Sequence, residues 1–383
     1  MKITLKFLRI FLTLCFFLLC FSGAARSRKQ LTIGIILRLE DKYNHSVTSL
    51  VEGIELAKTQ FEKSHPDAQV QLRRYSHGED LASVLHAADV AIKENTPAVI
   101  GAELSEEALA LGERLGEHKI ILMTPTSSNP KVTQDRPFVF RGCFSDDQVA
   151  KRMAEYVYKS LKPKQLGVVH NVSSPYTDFL GKAFVAKYRE LIIDHVIVAK
   201  VVKNTLDFEP IIDDFIKRKV THVIMLDHQD DLLRFNTQAV LKGYYPIYVG
   251  SDGWGSNENV FKSFVTDSPA GKYFIGLRNS YWHQEAHSQR VAIFRTAFQK
   301  TFHKEPDAWN AIAYDSAIVL LAAMYKAKDP KSSESIRLAL QKTGHLDLVT
   351  TENFNFESNN SPIKDLYIYK ISAQGIHFEA TLK

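Results

Sequence analysis

Short apolar, β-branched runs alternate with stretches of helical spacing along most of this 383-residue chain. Residues 31–37 form one such run and read as a buried strand. Residues 47–61 then place Leu50, Ile54, Ala57 and Phe61 on one helical face. A strand at 70–75, a helix at 81–92, a strand at 98–100, a helix at 105–115 and a strand at 120–123 continue the pattern. Alternation at this pace implies βαβ units, and so parallel sheets with helices on both faces. The pattern then restarts. Ser145 and Gln148 make a capping-box spacing before a helix to about residue 161. Strands at 165–170, 194–202, 221–226 and 247–250 follow, separated by helices at 176–191, 209–218 and 230–241. Helices at 287–302 and 309–326 come next, and Gly375 marks a hairpin turn between 366–371 and 376–380.

A chain this long does not suit one core, so the restart predicts two lobes. No Pro/Gly-rich linker separates the halves, which implies several strand-to-strand crossings that act as a hinge. They are expected near 141–145, 276–279 and 348–351. One lobe then holds 26–142 plus 278–348, and the other 143–277 plus 349–383.

Residues 1–25 read as a secretory leader. Lys2, Lys6 and Arg9 open it, an apolar stretch runs over 10–21, and Ser22-Gly23-Ala24-Ala25 supplies small residues for cleavage. The apolar stretch is short for a span of roughly 20 residues, and no later stretch reads as membrane-crossing. Cys15 and Cys20 follow leucines rather than small residues, which argues against a lipid anchor. The reading is a cleaved, periplasmic chain. Cys143 alone would survive cleavage, leaving no internal disulfide and a cysteine that behaves as a small core residue. The net charge is +5, and removing three basic leader residues leaves it close to balance. Nucleic acid, which needs clustered basic surface, is not an expected partner.

Open parallel sheets bind ligands beyond the carboxyl ends of their strands, so the residues after each strand carry the functional information. Gly101-Ala102-Glu103-Leu104-Ser105 leads into a helix, where Ser105 as cap would offer a hydroxyl and free amides to a carboxylate. Thr124-Pro125-Thr126-Ser127-Ser128-Asn129-Pro130 holds an anion or is simply a turn. Ser173-Ser174-Pro175-Tyr176, Asp227-His228 and Gly250-Ser251-Asp252-Gly253 follow three strands of the second half. Hydroxyls and amides on one side, with carboxylates and aromatics on the other, suit a zwitterion. Ordinary turn chemistry accounts for the same residue types. No nucleophile elbow, phosphate loop, dinucleotide fingerprint or metal-ligand spacing is present, so neither catalysis, a cofactor nor a metal is expected.

In their order, these elements resemble the type I periplasmic solute-binding proteins, in particular the leucine/isoleucine/valine-binding branch. The segment 97–105, the "P-x-x-(T/S)-N-P" element at 125–130, Tyr176, Gly250-Ser251-Asp252-Gly253, Tyr314-Asp315-Ser316 and Phe354-Asn355-Phe356 carry the likeness. The resemblance implies two doubly wound parallel-sheet lobes joined by a multi-strand hinge, closing over an amino acid or a relative. Ser105 and Ser128 would bind its carboxylate, with backbone groups from Thr126 and Ser127. Tyr176 would line the closing lobe, and Asp252 would take the ammonium. His228 falls where the family has a tyrosine. The charged turn Arg38-Leu39-Glu40-Asp41-Lys42-Tyr43 replaces a Gly/Pro-rich one and implies a polar or acidic ligand side chain. The implied partner is the membrane permease of an ABC transporter, served by a monomer. Two other readings stand beside it: a sensing module with a separate membrane partner, and a ligand-free envelope interaction protein on the same scaffold.

Overall fold

The computed structural model describes residues 28–41, 44–192, 196–255, 258–283 and 288–383. The leader, with Cys15 and Cys20, lies outside them, as do Lys42 and Tyr43 of the charged turn.

Strands β1 (Lys29–Leu37), β2 (Ala68–Ser76), β3 (Ala98–Ile100), β4 (Ile121–Thr124) and β5 (Val139–Arg141) form a parallel sheet in the order β2-β1-β3-β4-β5. Alternation along β1 decides which helices cover it. Leu31, Ile33, Ile35 and Leu37 join one core cluster with α1 (His45–Ser64), α10 (Ala308–Lys326) and α11 (Ser333–Gln341). Ile36 joins the opposite cluster with α2 (Leu81–Lys93) and α3 (Ser105–Glu117). Period-two alternation buries both faces of the strand, which is why it reads as continuously apolar.

The second sheet runs β12-β11-β10-β9-β8-β6-β7. Its parallel part is β6 (Leu166–Asn171), β7 (Val196–Val201), β8 (His222–Leu226), β9 (Ile247–Gly250) and β10 (Ile275–Ser280). The hairpin of β11 (Leu366–Ser372) and β12 (Gly375–Leu382) adds two antiparallel strands against β10. Helices α4 (Asp146–Tyr156) and α5 (Pro175–Leu191) cover one face. Helices α6 (Glu209–Lys217), α7 (Gln229–Leu241) and α8 (Glu258–Asp267) cover the other. Ser145 precedes α4 but does not cap it; its hydroxyl donates to Asp147 instead.

The chain passes between the sheets three times. Residues 142–145 join β5 to α4. After β10 the chain continues to α9 (Gln289–Phe302), which packs with Leu56 and Ala311 of the first lobe. The third passage lies between α11 and β11. Its earlier part stays with the first lobe: Val349 and Thr350 donate their amides to Asp315 at 3.0 and 2.7 Å, and Asn360 O accepts from Arg141 N at 3.1 Å. The sequence boundaries at 277/278 and 348/349 therefore shift, because β10 continues the second sheet to Ser280 and the first lobe retains the chain to about residue 361. Lys364, buried, ties two passages together through Gly142 O (3.1 Å) and Thr350 Oγ1 (2.5 Å). Burial pushes its ammonium down to about 8.

Helix α10 is long and apolar enough to cross a membrane, contrary to the sequence reading, but most of it is buried inside the first lobe. Cys143 is fully buried, and burial pushes its thiol up to about 12, as suits a core residue.

A candidate ligand cleft between the lobes

The carboxyl ends of both sheets face one another across a cavity of about 60 Å³. One wall comes from the β3–α3 loop and the segment after β4. The other comes from the segments after β6, β8 and β9. Tyr281, at the end of β10, and Trp309, in the first turn of α10, complete it.

Ser105, Thr126, Ser128, Tyr176, His228 and Asp252 all line this cavity. Ser105 is the first helical residue rather than the cap. Leu104 holds the cap position, and its N–H donates to Glu107 Oε2 at 3.2 Å. Ser105 Oγ accepts the Asn129 amide at 3.3 Å, which ties the segment after β4 to α3. Thr126 Oγ1 donates to Glu103 O at 2.9 Å. Ser127 is the exception and does not line the cavity. Its amide is taken by Thr124 Oγ1 (3.3 Å) and its hydroxyl by Leu104 O (3.0 Å), so neither is left for a ligand.

On the facing wall, Asp252 is buried. Its carboxylate accepts from the Tyr281 hydroxyl and, at 3.3 Å, from Asn279 Nδ2. The Tyr176 hydroxyl donates to Ser251 Oγ at 2.5 Å and lies 3.5 Å from Asp252 Oδ1. Burial raises the Asp252 pKa above the usual carboxylate range, opposed by the hydrogen bond from Tyr281. His228 is the cap residue of α7, its ring 6.4 Å from that of Tyr176.

Four wall residues were not among the sequence candidates for the site: Glu103, Glu106, Tyr281 and Trp309. Tyr281 and Glu103 directly follow, or nearly follow, strand ends, so the rule that found Asp252 also reaches them. Trp309 has no such signal. The Trp309 indole donates to Gly255 O at 3.2 Å, linking the two lobes. Arg38 does not line the cavity; its guanidinium lies 3.5 Å from the Glu103 carboxylate. Among the described residues, no group of His, Cys, Asp and Glu could hold a metal ion.

Behind this wall sits Glu107, buried, with its carboxyl pushed up to about 7 by burial. An acid whose folded pKa exceeds its ordinary value near 4.5 binds more protons in the native state between those two values. Its contribution to stability is therefore full below about pH 4.5 and is lost as pH rises through 7. We expect Glu107→Gln, which keeps an oxygen for the Leu104 amide, to flatten the fall in stability between pH 5 and pH 8. The difference is on the order of 1–3 kcal/mol. Urea unfolding at the two pH values measures it, and parallel pH profiles for both proteins would exclude Glu107 as the source.

A family model described as periplasmic binding protein matches residues 30–375. The chain is 26% identical over 320 residues to a Brucella melitensis protein named Leu/Ile/Val-binding protein homolog 3, covering 83% of this chain and 84% of that one. It is 24% identical over 256 residues to Leu/Ile/Val-binding protein BraC3 of Rhizobium johnstonii, covering 67% of each. The crystal structure of a leucine binding protein, LivK, from Thermotoga maritima superposes with a TM-score of 0.82 at 25% identity, covering 92% of this chain and 99% of that one.

Proposed function

This chain belongs to the periplasmic binding protein family, and from that premise we propose that it captures an α-amino acid between its lobes. It is a solute-binding protein rather than an enzyme. The observation that carries the ligand class is Asp252: a buried carboxylate that accepts hydrogen bonds from neutral donors and faces hydroxyls and a helix N-terminus across the cavity. A buried acid so placed gains most from a ligand cation, through charge-assisted hydrogen bonds. The ligand's ammonium would meet Asp252, and its carboxylate Ser105, Thr126 and Ser128. Tyr176 and His228 would cover it from the second lobe. The names of the relatives support an amino acid.

In this reading the chain is exported by removal of residues 1–25, works as a periplasmic monomer, and delivers its ligand to an ABC transporter permease. The passages at 142–145, after β10 at 281–283, and 361–365 form the hinge. A thermal-shift screen of the exported protein against the common amino acids tests the binding reading. A ligand at 100 times its dissociation constant adds about 2.7 kcal/mol of stability. The hit should also compact the protein in small-angle scattering, and the intact mass of the same preparation reads the cleavage site. No shift with any amino acid would overturn the ligand class; unchanged scattering at proven saturation would overturn hinge closure.

A further inference from the structure

Resting on that reading, which places the ligand's ammonium and carboxylate but not its side chain, we propose that the ligand is a basic amino acid whose distal cation faces Glu103 and Glu106. Both residues border the same cavity as Ser105, one just before α3 and one in its first turn. The Glu103 carboxylate is held from behind. Ser46 Oγ donates to Oε1, Asn44 Nδ2 donates to Oε2 at 3.2 Å, and Arg38 Nη2 stands 3.5 Å from Oε2. A carboxylate offers about four acceptor sites, so these three contacts orient Glu103 and leave capacity for a further donor. Glu106 is half-buried and forms no ion pair among the described residues. Trp309 lies on the same cavity, its indole fixed by the hydrogen bond to Gly255 O. A rigid aromatic face beside two carboxylates is the setting that holds a guanidinium or ammonium group.

Glu107, directly behind, is shifted upward by burial, with Glu103 and Glu106 both opposing its ionisation. Near the other end of the ligand, Asp146 is almost fully buried; burial and Asp252 oppose its ionisation, while the Ser128 side chain and Arg141 favour it. A ligand carboxylate docked at Ser105 approaches Glu103 and Glu106, and a distal cation offsets that repulsion. An aliphatic side chain would desolvate the two acids without replacing their solvent partners. An acidic side chain would add a like charge. The polar or acidic side chain implied by the charged turn is thus revised: Arg38 is spent on Glu103 and does not reach the ligand.

Calorimetry on the full exported protein with L-arginine, L-lysine, L-norleucine, L-leucine and L-glutamate tests this. Lysine and arginine should bind at least about tenfold tighter than norleucine, which matches the lysine chain but lacks its charge. Glu106→Gln, at a half-buried position that forms no ion pair among the described residues, should reduce the lysine-to-norleucine ratio several-fold, by weakening lysine and by relieving the desolvation that norleucine imposes on this acid. Glu103→Gln should do the same, with Glu106→Gln deciding if Glu103→Gln unfolds. Leucine or norleucine binding as tightly as lysine would overturn the basic ligand and leave the amino-acid reading standing. A ratio unmoved in Glu106→Gln would overturn the assignment of the selecting wall. Binding of none of the common amino acids would overturn both readings together.

Discussion

Asp252→Asn is expected to lose roughly 30-fold to a few thousand-fold in affinity for the amino acid that stabilises the wild type, about 2–5 kcal/mol, while folding stability without ligand changes by about 1 kcal/mol or less. The two halves of this expectation have separate causes. Affinity falls because a desolvated ammonium loses the opposite charge that Asp252 supplies on the second-lobe wall. Stability holds because the native state gains little from the Asp252 charge. The side chain is buried and its pKa is raised, so a neutral side chain of the same shape removes a desolvation cost. An asparagine oxygen still accepts from Tyr281 or Asn279, offsetting part of the lost hydrogen bonding. Titration calorimetry and urea unfolding on the same preparations separate the terms. Unchanged affinity would place the amine elsewhere. A large loss of apo stability would make Asp252 a turn residue whose carboxylate holds the loop after β9.

The alternation that announced the fold was legible because both faces of the central strands are buried. The central strands read as mostly apolar runs, as in β8 and residues 31–37 of β1, whereas β2 alternates with exposed polar residues. β5 escaped notice because it is only three residues long and ends in Arg141. β10 was read as a hinge crossing near 276–279, and its polar Arg278, Asn279 and Ser280 give no apolar run that would mark a strand. All three are nevertheless buried and paired with β11, and Arg278 is paired with Gly250 of β9 as well, with the Arg278 guanidinium 6.0 Å from the Tyr369 ring. Pattern reports solvent preference, and a polar strand inside a closed interface defeats it. Much of the site followed from the strand-end rule, since topology alone brings those loops together. Choosing among neighbouring hydroxyls did not: Ser127 and Ser128 are alike in sequence, and the turn's own hydrogen bonds decide which faces the cavity. Trp309 was invisible for a different reason. It enters from α10, more than fifty residues beyond Asp252, through packing that no local spacing encodes.

Arg141→Met should destabilise the ligand-free protein by about 3–5 kcal/mol, the range for breaking a buried charge arrangement by removing one partner. This is the opposite stability outcome to that of Asp252→Asn. Arg141 is fully buried at the end of β5, where the chain leaves the first lobe. Its Nη1 donates to Ser128 O at 2.5 Å and its Nη2 to Asn129 O at 2.6 Å. The guanidinium therefore fixes the backbone that presents Thr126 and Ser128 to the cavity. Methionine fills a similar volume but donates nothing. Asn129 O then loses this donor, and Ser128 O keeps only the Asp146 amide at 2.9 Å. Burial lowers the Arg141 pKa, and Asp146 is among the acids that support its charge, so removing the cation also strips Asp146 of a compensating field. Affinity should fall as well, because a loosened 126–129 segment must be ordered again when the ligand's carboxylate docks. Urea unfolding of Arg141→Met beside Arg141→Lys distinguishes shape from charge. Lysine restores the cation but not the planar two-pronged geometry, so it should recover only part of the loss. Full recovery by lysine would mean that charge alone, rather than the paired carbonyl contacts, holds the segment. Wild-type stability in the methionine variant would remove Arg141 from any role in building the cleft.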